Sequence, residues 1–88
     1  MDLEKFLNTK LHRKVLAFFY EYPSCVETPQ GIAHWTGSAV EKIEKIIKVL
    51  FRHKIIIKHK GFSTECFAFT HDQKLIKEVE TFFKNSSE

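Results

Sequence analysis

The chain has 88 residues and a mass of 10.4 kDa, with 43% hydrophobic and 28% charged residues. That length and balance fit one globular domain and exclude a disordered or fibrous chain. Its longest apolar run, Val15 to Tyr20, falls far short of a membrane span, and Met1 to Lys5 lack the basic start of a secretory signal. The expectation is one cytoplasmic domain over residues 1–88, with its core in about 10–83 and a frayed tail at 85–88.

Leu11, Val15, Leu16, Phe18, Phe19 and Tyr22 recur near helical spacing and predict a first long helix, capped by Asn8 or Thr9. Pro23 stops it by pushing the preceding residue out of the helical region. A shorter turn of helix before it offers Leu3, Phe6 and Leu7. Ser24 to Glu27 reads as an extended link. Thr28-Pro29 then starts a short second helix, a hydroxyl cap followed by proline at the first helical position. Ile32 and Ala33 mark its inner side, and Thr36-Gly37 its end, where glycine permits a left-handed turn.

Ser38-Ala39-Val40-Glu41 reads as a capping box, so a third helix begins almost at once. Its inward positions are Val40 or Ile43, Ile46 or Ile47, and Leu50; Glu41, Lys42, Lys45 and Lys48 point outward. A turn this short makes the two helices cross steeply. Ile55 to Lys60 reads as a strand, Gly61-Phe62-Ser63-Thr64 as a turn, and Cys66 to Thr70 as the returning strand of a hairpin. Thr70 with Gln73 reads as another capping box, opening a last helix with Leu75, Ile76, Val79, Phe82 and Phe83 on its apolar stripe. The fold class is α+β and mostly helical.

Net charge is only +3, but it is unevenly placed. Residues 41–60 carry seven bases against Glu41 and Glu44, while residues 1–40 balance and 61–88 are slightly acidic. A basic segment inside a folded pattern points to a phosphate-facing surface. The five histidines show no metal-ligand spacing and the two cysteines no cluster, so neither a metal nor a disulfide scaffold is expected. No nucleophile motif, glycine-rich phosphate loop or paired-carboxylate pattern points to an enzyme or a cofactor.

The element order resembles a winged helix-turn-helix domain, a three-helix core with a two-stranded wing and a C-terminal helix. Ile32-Ala33-His34-Trp35-Thr36-Gly37 is similar to the second helix and turn of ArsR/MarR-type transcription regulators. Ile43, Ile47 and Leu50 fall where those families place the apolar residues of the recognition helix, here about 39–53. Lys54-Ile55-Ile56 looks like the entry to the wing, about 55–70, although the family usually has glycine at the position of Lys54.

The resemblance implies sequence-specific binding of double-stranded DNA as a small transcription regulator. It puts Ser38, Val40, Lys42 and Lys45 at the major groove, beside Glu41 and Glu44, whose charge opposes phosphate. Glu41 has a structural role in the capping box, and Glu44 is spaced to pair with Lys48. Lys58, His59 and Lys60 fall on the wing, whose tip lacks Arg or Lys, and Thr28 and Gln30 on a phosphate-facing helix start.

Such regulators commonly pair through their end helices. That implies a homodimer through Leu3, Phe6, Leu7, Leu11, Leu75, Val79, Phe82 and Phe83, unless these close the monomer core. In winged folds the link also often pairs with the last wing strand, which would bring Cys25 near Cys66, with reduced thiols expected. Trp35 reads as a half-exposed surface anchor. The alternative function is a protein-interaction module or adaptor that does not touch DNA, which Glu41, Glu44 and the non-basic wing tip favour.

Overall fold

The computed structural model describes residues 3–7, 9–59 and 65–86, leaving aside the side chains of Glu4, Phe6 and Ser86. Among the described residues the order is α1 (Leu3–Phe6), α2 (Lys10–Glu21), α3 (Pro29–Thr36), α4 (Val40–Arg52), β1 (Ile56–His59), β2 (Cys66–Phe69) and α5 (Gln73–Ser86). Local chemistry sets most of these boundaries. Thr9 caps α2 by accepting from the His12 N–H at 3.1 Å, and Thr28 caps α3 by accepting from the Gly31 N–H at 3.0 Å. Gly37, at φ 71° and ψ 27°, closes α3 in the left-handed conformation, and the Ser38 N–H reaches back to the Ala33 carbonyl at 3.0 Å.

Both expected capping boxes are corrected. Closing α3 engages the Ser38 backbone, so α4 starts one residue later with Ala39 at its N-cap and no side-chain hydrogen bond there. At α5 the cap is Asp72, whose Oδ1 accepts from the Lys74 N–H at 2.9 Å and the Leu75 N–H at 3.4 Å. Thr70 instead holds the Asp72 N–H at 3.0 Å. The expected tail is shorter too, because α5 continues through Asn85 and Ser86.

The exit from α4 carries the least expected backbone. Lys54 sits at φ 63°, its N–H donates to the Phe51 carbonyl, and the Ile55 N–H reaches the Leu50 carbonyl, each at 3.0 Å. This six-to-one closure places Ile55 on Leu50, both fully buried, and turns the chain straight into the wing. A left-handed lysine costs about 1–2 kcal/mol that glycine avoids, against about 0.5–1 kcal/mol for the extra entropy glycine loses on folding. Lys54→Gly should therefore raise stability by up to about 1 kcal/mol, read as a higher melting temperature. A lower one would mean that the side chain holds the turn.

β1 and β2 pair antiparallel, Ile56 opposite Phe69 and His59 opposite Cys66. The link joins them: Glu27 and Phe67 exchange backbone hydrogen bonds at 2.9 and 2.8 Å. The expected link-to-wing pairing is therefore present. Cys25 is exposed, Cys66 is buried, and both are free thiols.

The helices and the sheet enclose one core in which Leu16, Phe19, Ile32, Ile43, Leu50, Ile56 and Phe69 are almost wholly buried. α1 packs against α5, and Leu3, Leu7, Val79 and Phe82 lie inside this same core. Half of the residues expected to face a second copy are thus buried within the one chain, and Leu11, Leu75 and Phe83 stay half-buried. The Phe6 side chain lies outside the described residues. Tyr20 ties α2 to α5, its hydroxyl donating to Glu80 at 3.2 Å and its ring 5.4 Å from that of Phe83. Burial first, then the hydrogen bond and charge of Glu80, raise the Tyr20 phenol above its ordinary value.

His12 gives stability a dependence on pH. Partial burial lowers its pKa below the ordinary 6.5, so the folded chain favours the neutral ring. Just below pH 6.5 the unfolded chain binds more protons than the folded one. The stabilisation is present above that pH and is lost as pH falls through the folded value. Melting temperature should drop between about pH 7.5 and about pH 5, and drop less in His12→Gln. An equal drop in the variant would remove His12 as a source.

Candidate nucleic-acid interface

α4 is oriented by its apolar stripe. With Ile43, Ile46, Ile47 and Leu50 buried, Glu41, Lys42, Glu44, Lys45 and Lys48 are left exposed. Lys42 and Lys45 stand in the first two turns, behind Ala39, an N-cap that makes no side-chain hydrogen bond among the described residues. That end of the helix favours anions. Val40 is half-buried and packs against the core, so it is drawn away from the exposed row, and Ser38 is likewise half-buried.

Two acidic side chains share this surface. Glu41 lies in the first turn, where the helix dipole favours a carboxylate, although it closes no box with Ser38. Glu44 does not make the expected ion pair with Lys48, since neither takes part in one among the described residues. Exposed pairs of this kind gain little Coulomb energy for the entropy of holding two long side chains.

The start of α3 is partly occupied from within. Glu27 Oε1 accepts the Thr28 N–H at 3.0 Å, and the Thr28 hydroxyl already serves the Gly31 N–H. Gly31 makes room for that carboxylate: a Cβ there would lie 2.1 Å from Glu27 Oε1. Gln30 is exposed beside it. On the wing, Lys58 Nζ is 3.0 Å from Glu65 Oε2 and 5.3 Å from the centre of the Phe51 ring, while His59 is exposed at the end of β1. Lys60 and the Gly61–Thr64 turn lie outside the described residues.

The structure thus gathers Lys42 and Lys45 on one exposed helix face with Lys58 and His59 on the neighbouring hairpin. Sequence reasoning passed over Glu27, and also Phe51, which is 43% exposed. The signal for Phe51 was its place directly after Leu50, where a helical stripe has room inside for one of two adjacent apolar residues. Trp35 is 48% exposed, as the sequence suggested, and its ring packs 5.1 Å from that of Phe18. Among the described residues, no three His, Cys, Asp or Glu side chains gather as a metal site, and no helix is long and apolar enough to cross a membrane.

Neither a protein-family model nor a curated protein matches the chain. Solved structures do. MepR, a transcription regulator of the Staphylococcus aureus multidrug efflux pump MepA, superposes with a TM-score of 0.75 at 23% identity, over 94% of this chain and 61% of MepR. MepR in its DNA complex gives 0.72 at 22% identity, over 93% of this chain and 67% of that one. MepR bound to ethidium bromide gives 0.70 at 22%, over 93% of this chain and 59% of that one. In the first of these the chain spans less than two thirds of the MepR length. The element order, the sheet pairing and this likeness agree: the chain has the winged helix-turn-helix fold.

Proposed function

We propose that the chain binds double-stranded DNA without catalysis, as a small cytoplasmic transcription regulator that needs no cofactor. In this reading α4 enters the major groove and the wing rests on the adjacent backbone or groove. The observation that carries it is the exposed Lys42–Lys45 face of α4, behind an uncapped helix start, in a fold shared with a protein solved on DNA. Lys58, His59 and Lys60 follow on the wing, and Gln30 and Thr28 flank the phosphate backbone.

A homodimer belongs to the same reading, with Leu11, Leu75 and Phe83 as the half-exposed remainder of the end-helix surface. It would set two recognition helices about 34 Å apart and call for a pseudo-palindromic site. Domain organisation is read in the same spirit, as one winged-helix unit over residues 1–88.

Random duplex DNA titrated by fluorescence anisotropy between about 50 and 200 mM salt tests the reading. Micromolar binding that weakens steeply with salt is the expected result. No binding at the low end would transfer the lead to a protein-interaction module, the reading that exposed Glu41 and Glu44 and the Glu27 carboxylate over α3 favour.

A further inference from the structure

A second surface adjoins the proposed DNA-facing one and shares Lys58 with it. Between the end of α4, β1 and the start of α5 runs an open groove of about 840 Å³. Its apolar side is formed by exposed Phe51 with half-buried Ile57 and Leu75, and its basic rim by Arg52, Lys54 and Lys58. Asp72 also lines it, but that carboxylate is engaged by the first turn of α5, and Lys58 is held by Glu65. Arg52 and Lys54 have no ion-pair partner among the described residues, so even against the charge of Asp72 the groove keeps a net positive excess over aliphatic and aromatic surface. Lys54 reaches that rim from a left-handed backbone that glycine would adopt with less strain.

We propose that this groove docks an acidic segment of a partner protein, one that presents carboxylates beside Leu, Ile or Phe side chains. The charge and the floor specify that chemistry together. Carboxylates answer Arg52 and Lys54, whereas the aliphatic surface of Ile57 and Leu75 offers a phosphate backbone nothing to bind. Arg52 stands ten residues after Lys42 on α4, roughly 15 Å along the helix axis, so Arg52 and Lys54 lie away from the start of α4, and Lys58 is the residue that the groove shares with the wing. The proposal stands whether or not the chain binds duplex DNA.

The test uses a short fluorescent peptide of alternating Asp or Glu with Leu and Phe, and a second peptide of equal charge in which Ser replaces Leu and Phe. The intact chain should bind the first at least about tenfold more tightly than the second. Arg52→Ala with Lys54→Gly should weaken binding of the first by about tenfold or more. Because Lys54→Gly relieves backbone strain, the double variant should melt no lower than the unchanged chain, and that result rules out misfolding as the cause. Equal affinity for the two peptides, or unchanged affinity in the double variant, would overturn the proposal. So would displacement of the peptide by a short single-stranded oligonucleotide, which would assign the groove to nucleic acid.

Discussion

Phe19→Ala is expected to destabilise the fold by about 3–5 kcal/mol, the range for deleting a fully buried ring. Phe19 has no exposed surface, and its ring meets that of Phe18 edge-on at 5.4 Å, so the vacated volume is walled by well-packed neighbours that relax only in part. A domain of this size has a total stability of about 5–15 kcal/mol, and the loss takes a large share of it. Urea denaturation followed by circular dichroism should show the midpoint falling sharply at unchanged slope. A loss below about 1 kcal/mol would mean that α2 does not pack as described.

The second large effect concerns binding. Lys42→Ala with Lys45→Ala should lower affinity for random duplex by about tenfold or more, and flatten the salt dependence by about two units of log–log slope. Both side chains are exposed on α4 and neither supports the core, so the double variant should melt within about 0.5 kcal/mol of the parent. Lys74→Ala with Lys77→Ala, both exposed on α5, is the charge-matched control and should leave affinity unchanged. Equal losses in the double variant and the control would mean that net charge acts rather than a surface, and would remove α4 as the reading helix.

Punctuation residues made most of the architecture legible in the sequence. Thr28-Pro29 and Gly37 act through backbone geometry within a few residues, so their reading needs no tertiary context, and the structure places α3 between them. The capping errors arose where two local solutions competed. Ser38 and Thr70 each have the chemistry of a cap, but the closing turn of α3 engages one and the Asp72 backbone occupies the other.

The fate of the end helices was illegible for a different reason. Periodicity shows that Leu3, Leu7, Val79 and Phe82 want burial and is silent on whether their own chain or a second copy supplies it. The Glu27 carboxylate over α3 was hidden as well, since it depends on Gly31 leaving space for it. Lys42 and Lys45 were readable as outward from the helical repeat alone. The groove behind them is assembled from three elements and has no signature in any one segment.

The pairing of Glu27 with Phe67 reaches beyond positioning. It bonds Phe67 on the side of β2 that β1 leaves open, so the most apolar strand, buried at every residue, is held on its far flank at that one residue. The remaining outer edge belongs to β1, which is four residues long and carries Lys58 and His59. Charged, short edges resist strand-to-strand association between molecules. Losing the Glu27–Phe67 bridge would free the Phe67 N–H and carbonyl within an all-apolar strand, the kind of unpaired edge that invites pairing between molecules.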